Sequence, residues 1–83
     1  MCHIKKVIPR NDYHLEVQLD NGCIVILNLK SRLGTVRFGM ISDMDLFQRA
    51  ATDGSYIRWG NKVEISVREV FQLAEKAELY KEV

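Results

Sequence analysis

The sequence is short of the residues that define several large protein classes. It has two cysteines, Cys2 and Cys23, and one proline, Pro9, among 83 residues. Two thiols are too few to staple a secreted mini-protein, and they are not spaced like the CxxC of a zinc or thioredoxin-like site. The expected setting is therefore reducing: a cytoplasmic protein of bacterial type. Long apolar stretches are missing as well. The longest uncharged apolar run is residues 23–27, far below the roughly 18 residues a membrane-spanning helix needs. At the start, Lys5 and Lys6 precede only two apolar residues before Pro9, which is not the pattern of an export signal. Nor is there an excess of charge, because 12 Lys and Arg against 11 Asp and Glu leave a net charge of +1. Sequence-independent nucleic-acid binding usually needs a clearly basic domain with clustered phosphate contacts. The small imbalance is instead divided: residues 1–38 carry six bases against three acids (+3), and residues 39–83 carry six against eight (−2).

What is present is a hydrophobic share of 47% with 28% charged residues, the composition of a globular chain rather than a disordered one. The length suits a single domain, residues 1–83. So small a domain buries only about 60% of its unfolded surface, and association would add to its stability.

Residues 13–19 alternate strictly, with Tyr13, Leu15, Val17 and Leu19 apolar and His14, Glu16 and Gln18 polar. This is a half-buried strand. After Asp20-Asn21-Gly22, residues 23–29 are rich in β-branched side chains, so the two segments read as a hairpin. A three-residue loop with Gly22 in the left-handed conformation pairs Leu19 with Cys23, Val17 with Val25, Leu15 with Leu27 and Tyr13 with Leu29. That register keeps one continuous apolar face, which a two-residue turn would destroy. It also leaves Ile24 and Ile26 on the opposite face beside Gln18 and Glu16. They are covered either by other parts of this chain or by a partner.

Residues 2–8 read as a further strand stopped by Pro9, with a turn at Asn11-Asp12 completing an antiparallel meander. Residues 30–40 read as a loop. Ser42 is expected to cap a short helix with Asp45 three residues on, Ile41 and Leu46 as staple, and Met44, Phe47 and Ala51 on the packing face. Asp53-Gly54 turns a second hairpin into residues 55–59, and Gly60-Asn61 leads to a short strand at residues 62–65. Ser66 and Glu69 form a capping box for a C-terminal helix whose core face holds Val67, Val70, Phe71, Leu73, Ala74, Ala77 and Tyr80. The fold class is α+β: an N-terminal three-stranded antiparallel meander, a short helix, a β-hairpin plus short strand, and a C-terminal amphipathic helix.

Catalytic constellations are scarce. Cys2, His3, His14 and Cys23 are zinc-ligand types, but the meander sets the cysteines about 10 Å apart and turns His14 to the other face. Two buried thiols and two surface imidazoles are expected, with no metal and no cofactor. Ser42 and Ser66 are assigned to caps, Ser55 to a turn, and no serine lies in a nucleophile elbow. Asp43 and Asp45 suit a helix start, and an enzyme would need one of Asp43 and Glu64 to converge with His14. Gly34 and Gly39 have phosphate-loop spacing, but Met40-Ile41 follows instead of Lys-Ser or Lys-Thr. Lys30, Arg32 and Arg37 are the candidate anion-binding residues, set against a solvated basic loop facing an acidic helix. Trp59 either packs beside Phe47 or, with Arg37 and Arg58, anchors an interface.

In order along the chain stand Ile4, Val7-x-Pro9, Tyr13-x-Leu15, Asn21-Gly22, Arg37-Phe38, Ser42-Asp43-x-x-Leu46-Phe47, Thr52-Asp53-Gly54, Ile57-x-Trp59-x-Asn61 and Glu64-Ile65-Ser66. This series, covering nearly the whole chain, resembles the family named domain of unknown function 2442. The family has Pro after the Trp where this chain has Gly60, and charged residues where Ile24 and Ile26 stand. The resemblance implies a small α+β protein without assigned catalytic residues, sometimes fused to a C-terminal helix-turn-helix and sometimes encoded beside a toxin-like protein. No helix-turn-helix is expected before Val83, which weighs against DNA binding by this domain. The expected function is a non-enzymatic protein-binding module, regulatory or antitoxin-like, acting on a protein partner or as a homodimer. Its partner-binding residues would be Ile24, Ile26, Arg37, Arg58 and Trp59; the alternative is nucleic-acid or anion binding through the basic loop 30–37.

Overall fold

The computed structural model describes residues 3–76. Strands β1 (Ile4–Pro9), β2 (His14–Leu19) and β3 (Ile24–Asn28) form one antiparallel sheet in the order β1-β2-β3. The hairpin register is the expected one: Leu15 faces Leu27 and Val17 faces Val25, while Leu19 N donates to Cys23 O and Leu29 N to Tyr13 O. Gly22 has φ +93°, a conformation that a side chain would oppose. Strand β1 differs from expectation in its C-terminal limit. Pro9 does not stop the strand but is its last residue, opposite Leu15, and Arg10 N still donates to His14 O. In the alternating ladder, the position of Pro9 faces away from β2, where a missing N–H removes no bond. The register also slips between Ile4 and Lys6, which turns both Ile4 and Val7 toward the core.

Residues 30–40 are more regular than a loop. Lys30–Arg32 and Gly39–Ser42 are 3-10 turns. The next helix, α1 (Met44–Phe47), is capped by Asp43, whose carboxylate accepts from Asp45 N at 3.0 Å. Ser42 instead bonds Gly39 O and closes the preceding 3-10 turn, so the cap lies one residue later than the capping pattern suggests. Ala51 is not on this helix. It is exposed in strand β4 (Ala51–Thr52), which pairs with β5 (Tyr56–Trp59), and β5 pairs with β6 (Val63–Ser66).

The second sheet feeds directly into α2 (Val67–Lys76). Its capping box forms as expected: Glu69 N donates to Ser66 Oγ at 3.2 Å, and Ser66 N to Glu69 Oε1 at 3.3 Å. Val70 is fully buried, and Val67, Leu73 and Ala74 pack at the margin of the core. Phe71 departs from the expected face and is 42% exposed. Ala77 and Tyr80 lie outside the described residues, as does Cys2.

Both sheets contribute to one core. Leu15, Val17 and Leu27 from the first join Ile57, Trp59 and Ile65 from the second, with Phe38, Ile41 and Phe47 from the connection. A backbone bond from Ile4 N to Gly54 O, 2.8 Å, ties the sheets at one margin. The observed architecture is thus α+β, with two three-stranded antiparallel sheets, a short helix and a C-terminal helix.

Candidate partner-binding surface

Period-two alternation assigns each strand residue a face, and the outer face of the first sheet follows from its register. Across the three strands, Lys6, Gln18 and Ile24 form one row, and Ile8, Glu16 and Ile26 the next. Ile24 is 56% exposed; Ile8 and Ile26 are half-buried. No element among the described residues covers Ile24, so intramolecular burial does not account for it.

The polar centre of this face is already satisfied. Glu16 Oε1 accepts from Arg10 Nη2 at 2.5 Å, and Glu16 Oε2 accepts from Gln18 Nε2 at 2.9 Å. Hydrogen bonds from Gln18 and Arg10 hold the Glu16 carboxyl below its ordinary pKa. A surface that already pairs its own carboxylate can be covered without stranding a bare charge, the large penalty in burying an ionised group. Ile8 was not singled out in the sequence, because a strand ending at Pro9 gave no reason to pair it with Ile26. The signal was available in Lys5-Lys6, a break in alternation of the kind that marks a bulge.

The other candidate residues fall elsewhere. Arg37 grips Glu69 with both terminal nitrogens, Nη1 to Oε2 at 2.5 Å and Nη2 to Oε1 at 2.8 Å, and Nη2 also donates to Glu64 O at 2.9 Å. The bond to Glu69 raises the pKa of Arg37, and the same bond lowers that of Glu69. The basic segment therefore does face the C-terminal helix, and its Arg37 fixes the start of that helix. Arg58 reaches Asp53 Oδ2 at 2.8 Å and Glu64 Oε1 at 3.0 Å, with its guanidinium over the Tyr56 ring. Arg37 and Arg58 thus meet at one residue, Glu64, from opposite sides.

Trp59 lies beneath them with no exposed area. Its ring stacks on Phe47 at 6.3 Å, and its indole N–H donates to Phe47 O at 3.2 Å. It is a core residue of this chain and has no surface to offer as an interface anchor. Lys30 is exposed and Arg32 half-buried in the first 3-10 turn, and neither is ion-paired among the described residues.

The remaining candidates do not assemble a reactive centre. Asp43 caps α1 and Glu64 is tied to Arg58, while His14 Nδ1 lies 3.2 Å from Asp12 Oδ1. His14 is half-buried rather than a surface imidazole, and Cys23 is a free, exposed thiol rather than a buried one. Among the described residues, no three His, Cys, Asp or Glu side chains converge as metal ligands, and no helix is long and apolar enough to cross a membrane. Compared with known proteins, the chain matches no family model, no curated protein and no solved structure.

Proposed function

We propose that this protein is a non-enzymatic protein-binding module that uses the outer face of its first sheet. The observation that carries the reading is the exposure of Ile24 beside half-buried Ile26 and Ile8, around a carboxylate that already has its donors. Apolar area of this kind gains about 25 cal/mol per Å² when removed from water. The likeness to domain of unknown function 2442 supports the same reading, with a regulatory or antitoxin-like role for the bound state. A cytoplasmic, reducing setting is part of the proposal, since an exposed free thiol at Cys23 persists there.

The test is the double variant Ile24→Glu with Ile26→Glu, compared with wild type by light scattering and by capture of a partner from the native host. Loss of association with retained secondary structure is expected. Unchanged mass together with unchanged capture overturns the reading. The anion-binding alternative through Lys30, Arg32 and Arg37 gives a different result: binding to DNA or RNA that weakens steeply between two salt concentrations.

A further inference from the structure

The two edges of the first sheet are built differently. At the β1 edge, Ile4 N is bonded to Gly54 O, the register slips before Lys6, and Pro9 offers no donor. Lys5 and Lys6 add charge to it. These are the devices by which natural sheets block edge-to-edge pairing. Strand β3 has none of them. It reads Ile24-Val25-Ile26-Leu27-Asn28, without charge, proline or register slip against β2. It ends the sheet order, so among the described residues no strand lies on its outer side.

The direction of its backbone groups can be read from the ladder. Cys23 O and Leu29 N bond to β2 at the two ends, and Val25 and Leu27 lie between them opposite Val17 and Leu15. Bonding toward a given neighbour alternates along an antiparallel strand. The N–H and C=O groups of Ile24, Ile26 and Asn28 therefore point away from β2. The spacing of these three residues is symmetric about Ile26.

We propose that this edge pairs antiparallel with the same edge of a second copy, about a twofold axis at Ile26, joining the two first sheets into one continuous sheet. The inference rests on the reading of this sheet as an association surface and names its occupant. In this register, Ile26 exchanges both backbone bonds with Ile26 of the partner subunit, and Ile24 does so with the partner's Asn28. Shifting the axis by one residue in one direction sets Asn28 against Gly22, which is held in the turn at φ +93°. A shift in the other direction sets Ile24 against Lys30, already in a 3-10 turn. The axis at Ile26 is the one that uses the whole strand on both sides. It is also isologous, the closed symmetry of most homodimers, and it places the outward isoleucines of both copies in one contiguous stripe.

The experiment uses the full chain in a Cys2→Ser, Cys23→Ser background. In a hydrogen-bonded antiparallel pair, directly opposed Cα atoms are about 5.5 Å apart, inside the range a disulfide spans. Ile26→Cys is expected to form a disulfide-linked dimer under copper-phenanthroline oxidation. Ile24→Cys is expected to stay unlinked, since the four-residue offset between the two copies is about 13 Å at strand rise. Sedimentation velocity of wild type over a dilution series should show concentration-dependent doubling of mass. Ile26→Lys should be monomeric with an unchanged circular dichroism spectrum. A wild type that is monomeric throughout, preferential linking of Ile24→Cys, or a dimer that survives Ile26→Lys each overturns the proposal. If the wild type is monomeric but the double glutamate variant still abolishes partner capture, self-pairing fails and the protein-binding reading stands.

Discussion

The two sheets have the same size and both pack on one core, yet their outer sides differ. On the second sheet, Arg58 bridges Asp53 and Glu64 and lies over the Tyr56 ring, so the exposed residues are tied to one another. On the first, the ion pair of Arg10 with Glu16 is flanked by Ile8 and Ile26, and Ile24 stands open. A face whose side chains bond one another is complete within the chain. A face with a satisfied centre and an apolar margin is complete only when covered. The difference teaches that the outer sides, and not the shared core, separate the part of this protein that maintains the fold from the part available to a partner.

The sharpest way to break that contrast is to attack what the sheets share. Trp59→Ala removes the ring that stacks on Phe47 and the donor to Phe47 O. Emptying such a site costs about 3–5 kcal/mol, the same order as the whole stability of a domain of this length, roughly 4–12 kcal/mol. The variant should be largely unfolded in urea titrations, with signals from both sheets lost in one transition. If the first sheet persists after the second melts, the core is not shared.

A smaller effect is expected where the second sheet passes into α2. Ser66→Ala removes one half of the capping box and should lower stability by about 1 kcal/mol, read from the denaturation midpoint. Glu69 keeps its bonds to Arg37 in that variant, so the helix start is weakened without being lost. A loss near 3 kcal/mol would mean that the cap supports more than the first turn.

On the first sheet, Ile24→Glu with Ile26→Glu should change stability by no more than about 1 kcal/mol, because Ile24 is largely open and Ile26 only half-buried. The pair of substitutions therefore sharpens the comparison: little effect on folding and a large effect on association. Global unfolding of the variant would show that these isoleucines serve the core after all.

Much of this contrast is legible in the residues themselves. Strict alternation at residues 13–19 and a glycine in the loop determine the hairpin register, since a one-residue slip would turn every apolar side chain outward. The Ser66 and Glu69 pair locates α2 for an equally local reason. Less legible is whatever depends on contacts distant in sequence. Nothing near Arg37 announces Glu69, 32 positions away, and nothing near Trp59 tells an interface anchor from a core ring. Phe71 falls on the apolar side of a helical wheel but is exposed, because a wheel reports the apolar arc and not how much of it the rest of the chain covers. Tyr13, with φ +65°, is set by its ring on Phe47 at 5.2 Å and its hydroxyl on Ser42 O, neither of which its neighbours reveal.

The smallest expected effect separates the two outer sides by acid. Asp53 accepts backbone bonds from Ser55 and Tyr56 and an ion pair from Arg58, and these hold its pKa down to about 2 from the ordinary 3.8. A carboxyl depressed on folding contributes stability above its unfolded pKa and loses that contribution as pH falls toward its folded one. Asp53→Asn should accordingly flatten the fall in melting temperature between about pH 4 and pH 2, leaving the slope supplied by Asp12, Glu16 and Glu69, whose pKa values are also lowered. Glu16→Gln makes the same change on the first sheet, where Gln18 and Arg10 are the donors. Its acid limb should flatten less, because side chains alone hold Glu16, whereas the backbone of a turn helps to hold Asp53. Equal flattening in the two variants would remove the distinction drawn here between a face fixed by its own fold and one left for a partner to complete.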